Sequence, residues 1–276
     1  MAEETPRLDE DVAWYYERGQ EQERLTGSAI GRVELERTRE ILSRFLPPSG
    51  VVLDVGGAAG VYAAWLAERG YRVELFDPVP LHVEQARAAA AAQPHAPFTA
   101  EPGDARALPR PDAYADAVLL LGPLYHLQGA ADRARALAEA RRVLRPGGVL
   151  AAAGISRFAA VADWLARDVL LDPASLGVLA EHLATGRHRN PERRPGWFTT
   201  AYFHRPEELA AEVAAAGFAA VRLLAVESWA AVLPDLEARA ADPQRWRRLL
   251  DAVRLVEEEP ALLGMTGHLL AVGQAV

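Results

Sequence analysis

The sequence predicts an α/β fold in which a mostly parallel sheet is wrapped by helices, and three observations predict it. Short apolar runs recur at Val51–Val55, Arg72–Phe76, Ala117–Leu121 and Val149–Ile155. Helical patterns separate them at Val61–Arg69, Leu81–Gln93 and Ala131–Leu144. The first run ends in Asp54-Val55-Gly56-Gly57-Ala58-Ala59-Gly60, a sharp turn from strand to helix. Strands alternating with crossover helices make parallel neighbours.

Before the first strand, Val33–Leu46 has the spacing of an amphipathic helix. Val51–Val55 reads as a buried strand. Glycines at 56, 57 and 60 permit positive φ and carry no Cβ, and the helix behind them starts with unpaired N–H groups that suit a nucleotide-like ligand. Arg72–Phe76 is the second strand, followed by a helix that is alanine-rich over 86–92. A shorter run around Pro97–Ala100, interrupted by proline, reads as an additional strand leading into Glu101-Pro102-Gly103-Asp104. The helix Ala131–Leu144 must stop at Arg145-Pro146-Gly147-Gly148, since proline cannot continue it and the glycines turn into Val149–Ile155. After Ile155 the pattern changes. Residues 158–183 read as helical, 184–197 as an arginine- and proline-containing loop, Pro206–Ala216 as a helix and Ala220–Val226 as a strand. A helical stretch at Ala230–Glu258 precedes a last strand at His268–Gly273.

Composition excludes several classes of function. The 276 residues suffice for one large α/β domain with insertions or a small lid. There is no cysteine, hence no disulfide, thiolate ligand or thiol nucleophile. All 30 basic residues are arginine, which excludes a Schiff-base lysine and points to a GC-rich genome. A net charge of −8 argues against a nucleic-acid partner and for a small-molecule substrate. The acidic segment Met1–Asp11 has no apolar leader core, and no run reaches the ~18 apolar residues of a membrane span, so a cytoplasmic protein is expected. No His/Asp/Glu cluster has ligand spacing, and no metal is expected. Oligomeric state is not legible.

The glycine loop discriminates between cofactors. A dinucleotide loop wants glycines at its first, third and sixth positions, and neither Gly56-Ala58-Val61 nor Gly57-Ala59-Tyr62 supplies them. Read as acid-x-Gly-x-Gly-x-Gly, the residues Asp54, Gly56, Ala58 and Gly60 resemble motif I of the class I S-adenosylmethionine-dependent methyltransferases, with alanine for the middle glycine. Four further segments resemble that family in its order: Phe76-Asp77 at the end of the second strand, Gly103-Asp104-Ala105, the run Tyr114 to Leu127, and Arg141 to Leu150. The resemblance covers about residues 51–155. It implies a Rossmann-like, doubly wound, mostly parallel seven-stranded sheet with the last strand antiparallel, completed by 220–226 and 268–273. It also implies a helical N-terminal cover over 1–48, a core over 49–276, and lid insertions at about 156–200 and 227–263.

The same resemblance assigns cofactor roles to the Asp54, Gly56, Ala58 and Gly60 loop, to Asp77 on the ribose, to Asp104 and Ala105 at the adenine, and to Leu121 after the fourth strand. From the N-terminal cover, Tyr16 and Arg24 are expected near the methionine part. Methyl transfer is an in-line displacement, so the protein supplies alignment and, for a proton-bearing nucleophile, a base. His126 is the first choice for that base and His204 the second, with Tyr125, Trp197 and Tyr202 toward the substrate. Arg187, His188, Arg189, Arg193 and Arg194 could grip a substrate anion. His95, His182 and His268 have no motif context and read as structural or exposed. The expected function is methyl transfer to a small molecule, in bacterial specialised metabolism. Leu121-Gly122-Pro123-Leu124 stands where an Asn-Pro-Pro-Tyr-like segment would mark base-amino methylation. A cofactor used without methylation and a non-catalytic partner subunit stay open as alternatives.

Overall fold

Two short side-chain oxygens start the first helices. In the computed structural model, which describes residues 8–93 and 95–276, Asp9 accepts from the Asp11 N–H to open α1 (Glu10–Tyr16). Ser28 accepts from the Gly31 N–H to open α2 (Ala29–Phe45), which therefore begins before the apolar stripe that announces it. The first seven residues of the expected N-terminal cover lie outside the described residues.

The alternating core follows: β1 (Val51–Val55), α3 (Val61–Glu68), β2 (Arg72–Asp77), α4 (Pro80–Ala91), β3 (Thr99–Pro102), β4 (Ala115–Leu120), the short α5 (Pro123–His126), α6 (Ala130–Val143) and β5 (Leu144–Ser156). β5 starts earlier than its apolar run. Leu144 pairs with Ala115 and Val149 with Ala117, so Arg145–Gly148 loops out as an irregularity inside the strand. Asp116 fixes this end of the sheet by accepting from the Val51 N–H at 2.7 Å and from Arg145 at 2.6 Å.

The single helical stretch expected over 158–183 is two helices, α7 (Ala159–Ala166) and α8 (Ser175–Thr185). Asp168 in a left-handed conformation and the Asp172-Pro173 step break it. β6 (Arg187–His188), β7 (Ala201–His204), α9 (Pro206–Ala215) and β8 (Phe218–Ala225) come next. The second long helical stretch is likewise divided into a 3₁₀ turn at Ser228–Val232, α10 (Leu236–Ala240) and α11 (Pro243–Leu255), the last capped by Asp242. β9 (His268–Ala275) ends the chain.

The strands run β3-β2-β1-β4-β5-β9-β8, with β9 antiparallel to both neighbours. The seven-stranded order that the resemblance implies is present. Two strands are added to it: Ile155 pairs with His268 of β9 on one side and Phe203 of β7 on the other, so β7 continues β4's flank of β5 beyond the end of β4, and β6 pairs with β7. Successive strand residues serve opposite faces. Val52, Val73 and Leu75 pack with Ile41, Leu66 and Val83 on one face, while Leu53, Val55 and Phe76 pack with Leu137, Leu209 and Val213 on the other. The chain order reverses between β1 and β4, which opens a crevice at their carboxyl ends. Among the described residues, no helix is long and apolar enough to cross a membrane.

Candidate active site

The crevice at the switch point is a cavity of about 350 Å³, and the turn after β1 forms its floor. Gly56 and Gly60 adopt φ of 71° and 84°. Side chains there would also collide, at 2.8 Å with the Pro123 ring and at 2.7 Å with the Phe98 ring. Packing thus requires both glycines, whatever approaches the loop. Ala58 holds φ of 49°, a conformation that disfavours any Cβ, and its N–H donates to Asp77 Oδ2 at 2.9 Å. Asp77 therefore grips the loop. Its other oxygen accepts from the Val79 N–H at 2.9 Å and faces His82 Nδ1 at 3.1 Å.

Asp54 is the unbalanced group. It is almost fully buried, lines the cavity, and among the described residues neither carboxyl oxygen has a hydrogen bond of ordinary geometry. Burial first, and the neighbouring Asp77 carboxylate second, push its pKa up to about 7 against a weak lowering from the Ala63 backbone. The sign follows. Between the ordinary carboxylate pKa and pH 7 the folded chain binds a proton that the unfolded chain has lost, so this group's contribution to stability falls across that window and stays low above it. Asp54→Asn is expected to raise the melting temperature at pH 8, with a gain that shrinks as pH falls toward 4, while weakening a cationic ligand. A melting series that shows no pH-dependent gain would count against the buried charge.

Asp104, Ala105 and Leu121 line the same cavity, but the Asp104 carboxylate is held by the Arg106 backbone N–H at 2.8 Å and by its guanidinium at 2.7 and 2.9 Å. Arg24 also lines it, with its guanidinium on Glu34 at 2.6 and 2.9 Å and on Glu21 at 2.7 Å. Burial opposes that charge, yet Glu34 and Glu21 raise its pKa well above the ordinary value. Gly60 does not line the cavity, though Ala59 and Val61 do. His82, marked by no motif in the sequence, also lines this wall, and its buried Nε2 has no partner among the described residues.

A second cavity of about 420 Å³ adjoins the first. Tyr16, Glu21, Arg24 and Tyr125 line both. The rest of its wall combines the aromatic rings of Tyr15, Trp164, Trp197, Phe198 and Phe203 with the charged Arg18, Asp163 and Arg167, and the Trp164 and Trp197 rings lie 4.7 Å apart. Trp197, expected to face a substrate, is on this wall and mostly buried.

Neither histidine expected to be a base is placed to act as one. His126 lines the first cavity, but its Nε2 sits 2.7 Å from the Tyr16 hydroxyl and its Nδ1 3.4 Å from the Thr200 carbonyl. That network assigns the neutral ring with Tyr16 as donor and leaves no nitrogen for a substrate. Burial also pushes its pKa down to about 4. His126 instead orients Tyr16. His204 is fully buried at the end of β7, with Nε2 3.3 Å from Glu212, and lines neither cavity. Tyr202 is also outside both: Arg133 covers its ring at 3.7 Å and its hydroxyl is 3.3 Å from Glu208. Both belong to the strand β7 that the sequence hid. Of the loop arginines, Arg194 pairs with Asp172 and Glu192, and Arg193 lies over the Trp14 ring at 4.5 Å.

Residues 53–152 match the methyltransferase domain family. An uncharacterized methyltransferase of Mycobacterium tuberculosis is 38% identical over 129 residues, which is 45% of this chain and 49% of that protein. Over residues 53–152 the chain thus carries a methyltransferase domain. A demethylmenaquinone methyltransferase of Deinococcus radiodurans is 42% identical over 101 residues, covering 36% of this chain and 40% of that one. The chain thus spans about half or less of the length of these relatives. The fold also resembles a solved S-adenosylmethionine-dependent methyltransferase of Methanosarcina mazei at 18% identity and TM-score 0.59, covering 86% of this chain and 97% of that one. A possible histamine N-methyltransferase of Thermotoga maritima gives the same identity and score over 96% and 98% of the chains. S-adenosylmethionine is the cofactor of this methyltransferase domain family. The first cavity fits a cationic nucleoside of that kind, because Asp54 and His82 line it and the Asp54 carboxyl and His82 Nε2 are buried with no hydrogen-bond partner among the described residues.

Proposed function

We propose that the protein moves a methyl group from S-adenosylmethionine to a small molecule held in the aromatic cavity. One observation carries this reading: a cavity built on the glycine loop and a second cavity rich in aromatic rings share the wall of Tyr16, Glu21, Arg24 and Tyr125. When bound, the cofactor supplies an electrophilic methyl on a sulfonium. Asp54, Asp77, His82, Asp104 and the Ala105 backbone would hold it. The shared wall would align the acceptor, and the apolar lining would exclude water, so positioning and desolvation contribute most of the rate. Residues 8–48 act as the cover of the site, since α1 brings Tyr16 to the wall and α2 brings Glu34 beneath Arg24.

Calorimetric titration with S-adenosylmethionine, S-adenosylhomocysteine and NAD in parallel tests the reading before any acceptor is known. Micromolar affinity for the first two and none for NAD is the expected result. Labelled methyl transfer to a panel of aromatic acceptors follows, with S-adenosylhomocysteine as the co-product. Absence of binding by either sulfur nucleoside would end the proposal, and binding without any co-product would favour a non-methylating use of the cofactor.

A further inference from the structure

We propose that His268 meets the nucleophilic oxygen of the methyl acceptor, and that the acceptor is a phenol or enol methylated as its oxyanion; the inference rests on the methyl-transfer reading above. His268 opens β9 and lines the aromatic cavity, its ring 6.3 Å from that of Tyr125 on the shared wall. Nδ1 is 2.6 Å from Glu227 Oε1 and 3.6 Å from Glu34 Oε2. Glu227 is itself fixed, since its Oε2 accepts from Thr266 Oγ1 at 2.8 Å and from the His268 N–H at 2.7 Å. Among the described residues His268 Nε2 has no protein partner, and it is not one of their buried unpaired atoms, so it stays accessible in the cavity. The side chain is 21% exposed.

Two acids behind one ring nitrogen set the charge of the other. Glu34 on α2 and Glu227 after β8 face the ring, and Arg24 faces it from the N-terminal segment. Burial lowers the pKa, but the two carboxylates outweigh burial and Arg24 and raise it to about 9. At neutral pH the ring is an imidazolium that offers Nε2–H to the cavity. The three potential ligand atoms of Glu34, Glu227 and His268 lie within 4.8 Å of one another, a cluster the sequence concealed by drawing it from three distant segments. Hydrogen bonds already occupy both Glu227 oxygens, which favours an ion-paired imidazolium over a metal site.

An imidazolium repels an ammonium and attracts an oxyanion, and planar aromatic walls suit a hydroxyl on an sp² carbon. The acceptor releases its hydroxyl proton to solvent, or arrives without it. Its oxygen pair then forms the new O–C bond, the electrons of the broken C–S bond remain on sulfur, and the proton stays on Nε2. The product ether carries no charge, loses the ion pair and dissociates more readily.

The test uses 4-nitrophenol, whose phenol and phenolate forms absorb at different wavelengths, titrated across pH with the full chain saturated in S-adenosylhomocysteine. Bound to the wild type, the probe should hold its proton about tenfold less tightly than free probe. In His268→Gln the bound probe should titrate as the free one does, and Glu227→Gln should lie between. Calorimetry should give both variants unchanged affinity for S-adenosylhomocysteine. A wild-type probe that titrates as in solution, an equal shift in His268→Gln, or no saturable binding overturns the inference alone. Wild-type protein that does not bind S-adenosylhomocysteine overturns the methyl-transfer reading and the inference with it.

Discussion

Asp77→Ala is expected to weaken S-adenosylhomocysteine binding by ~100-fold or more, about 2.7 kcal/mol, while the protein stays folded. The effect has two sources. The carboxylate lines the cavity where a ribose is expected, and it also accepts from the Ala58 and Val79 N–H groups and faces His82 Nδ1. Hydrogen bonds to a charged group contribute about 1.5–3 kcal/mol each. Water can reach the freed N–H groups through the cavity, so the stability loss should come to about 2–4 kcal/mol, less than the sum of three such bonds. Without Asp77, the Ala58 N–H loses its carboxylate partner and the left-handed residue is held through the backbone bonds of Gly56 and Gly60, so the loop is expected to loosen. Asp77→Asn should also fail: an amide offers one acceptor oxygen where the carboxylate serves two backbone donors at two oxygens. Calorimetry alongside a melting curve checks both effects. A folded alanine variant with wild-type affinity would remove Asp77 from the cofactor site.

The residues that local chain chemistry controls were legible, and those that need distant partners were not. The β1 turn and the helix stop at Arg145-Pro146 are turn signals between a strand and a helix, written within a few neighbouring residues. Their succession carried the family resemblance and the alternation of strand and helix that β1 to β5 show. β7 has four residues and gains its place by pairing with the last residues of β5 and with the two-residue β6, so no periodicity announced it. His204 and Tyr202 were misplaced for that reason. His126 was placed correctly beside the crevice, yet its role turned on Tyr16, a residue 110 positions away. The same distance effect hid His268, whose charge is set by Glu227, 41 positions earlier, and by Glu34 on α2. Sequence spacing shows which residue types reach a sheet end. It does not show which nitrogen is already occupied.

Glu257→Ala should destabilise the chain by about 3–5 kcal/mol, the range for a buried ion pair that loses one partner. Arg37 is completely buried in the middle of α2 and pairs with Glu257, itself only 6% exposed, and with Glu40. Arg44 reaches the same carboxylate at 2.5 and 3.0 Å. Removing Glu257 leaves Arg37 its partly exposed partner Glu40, which places the loss toward the lower end of the range. Replacing both members, as Arg37→Met with Glu257→Leu, should lose less than either single change, because no buried charge is left uncompensated. The consequence extends to the site. Glu34 lies one turn earlier on the same helix, where it holds Arg24 and faces His268, so loosening α2 should also degrade the aromatic cavity. Urea unfolding of the two singles and the double measures the coupling. A loss below about 1 kcal/mol for Glu257→Ala would mean that the pair contributes no more than a solvent-exposed one.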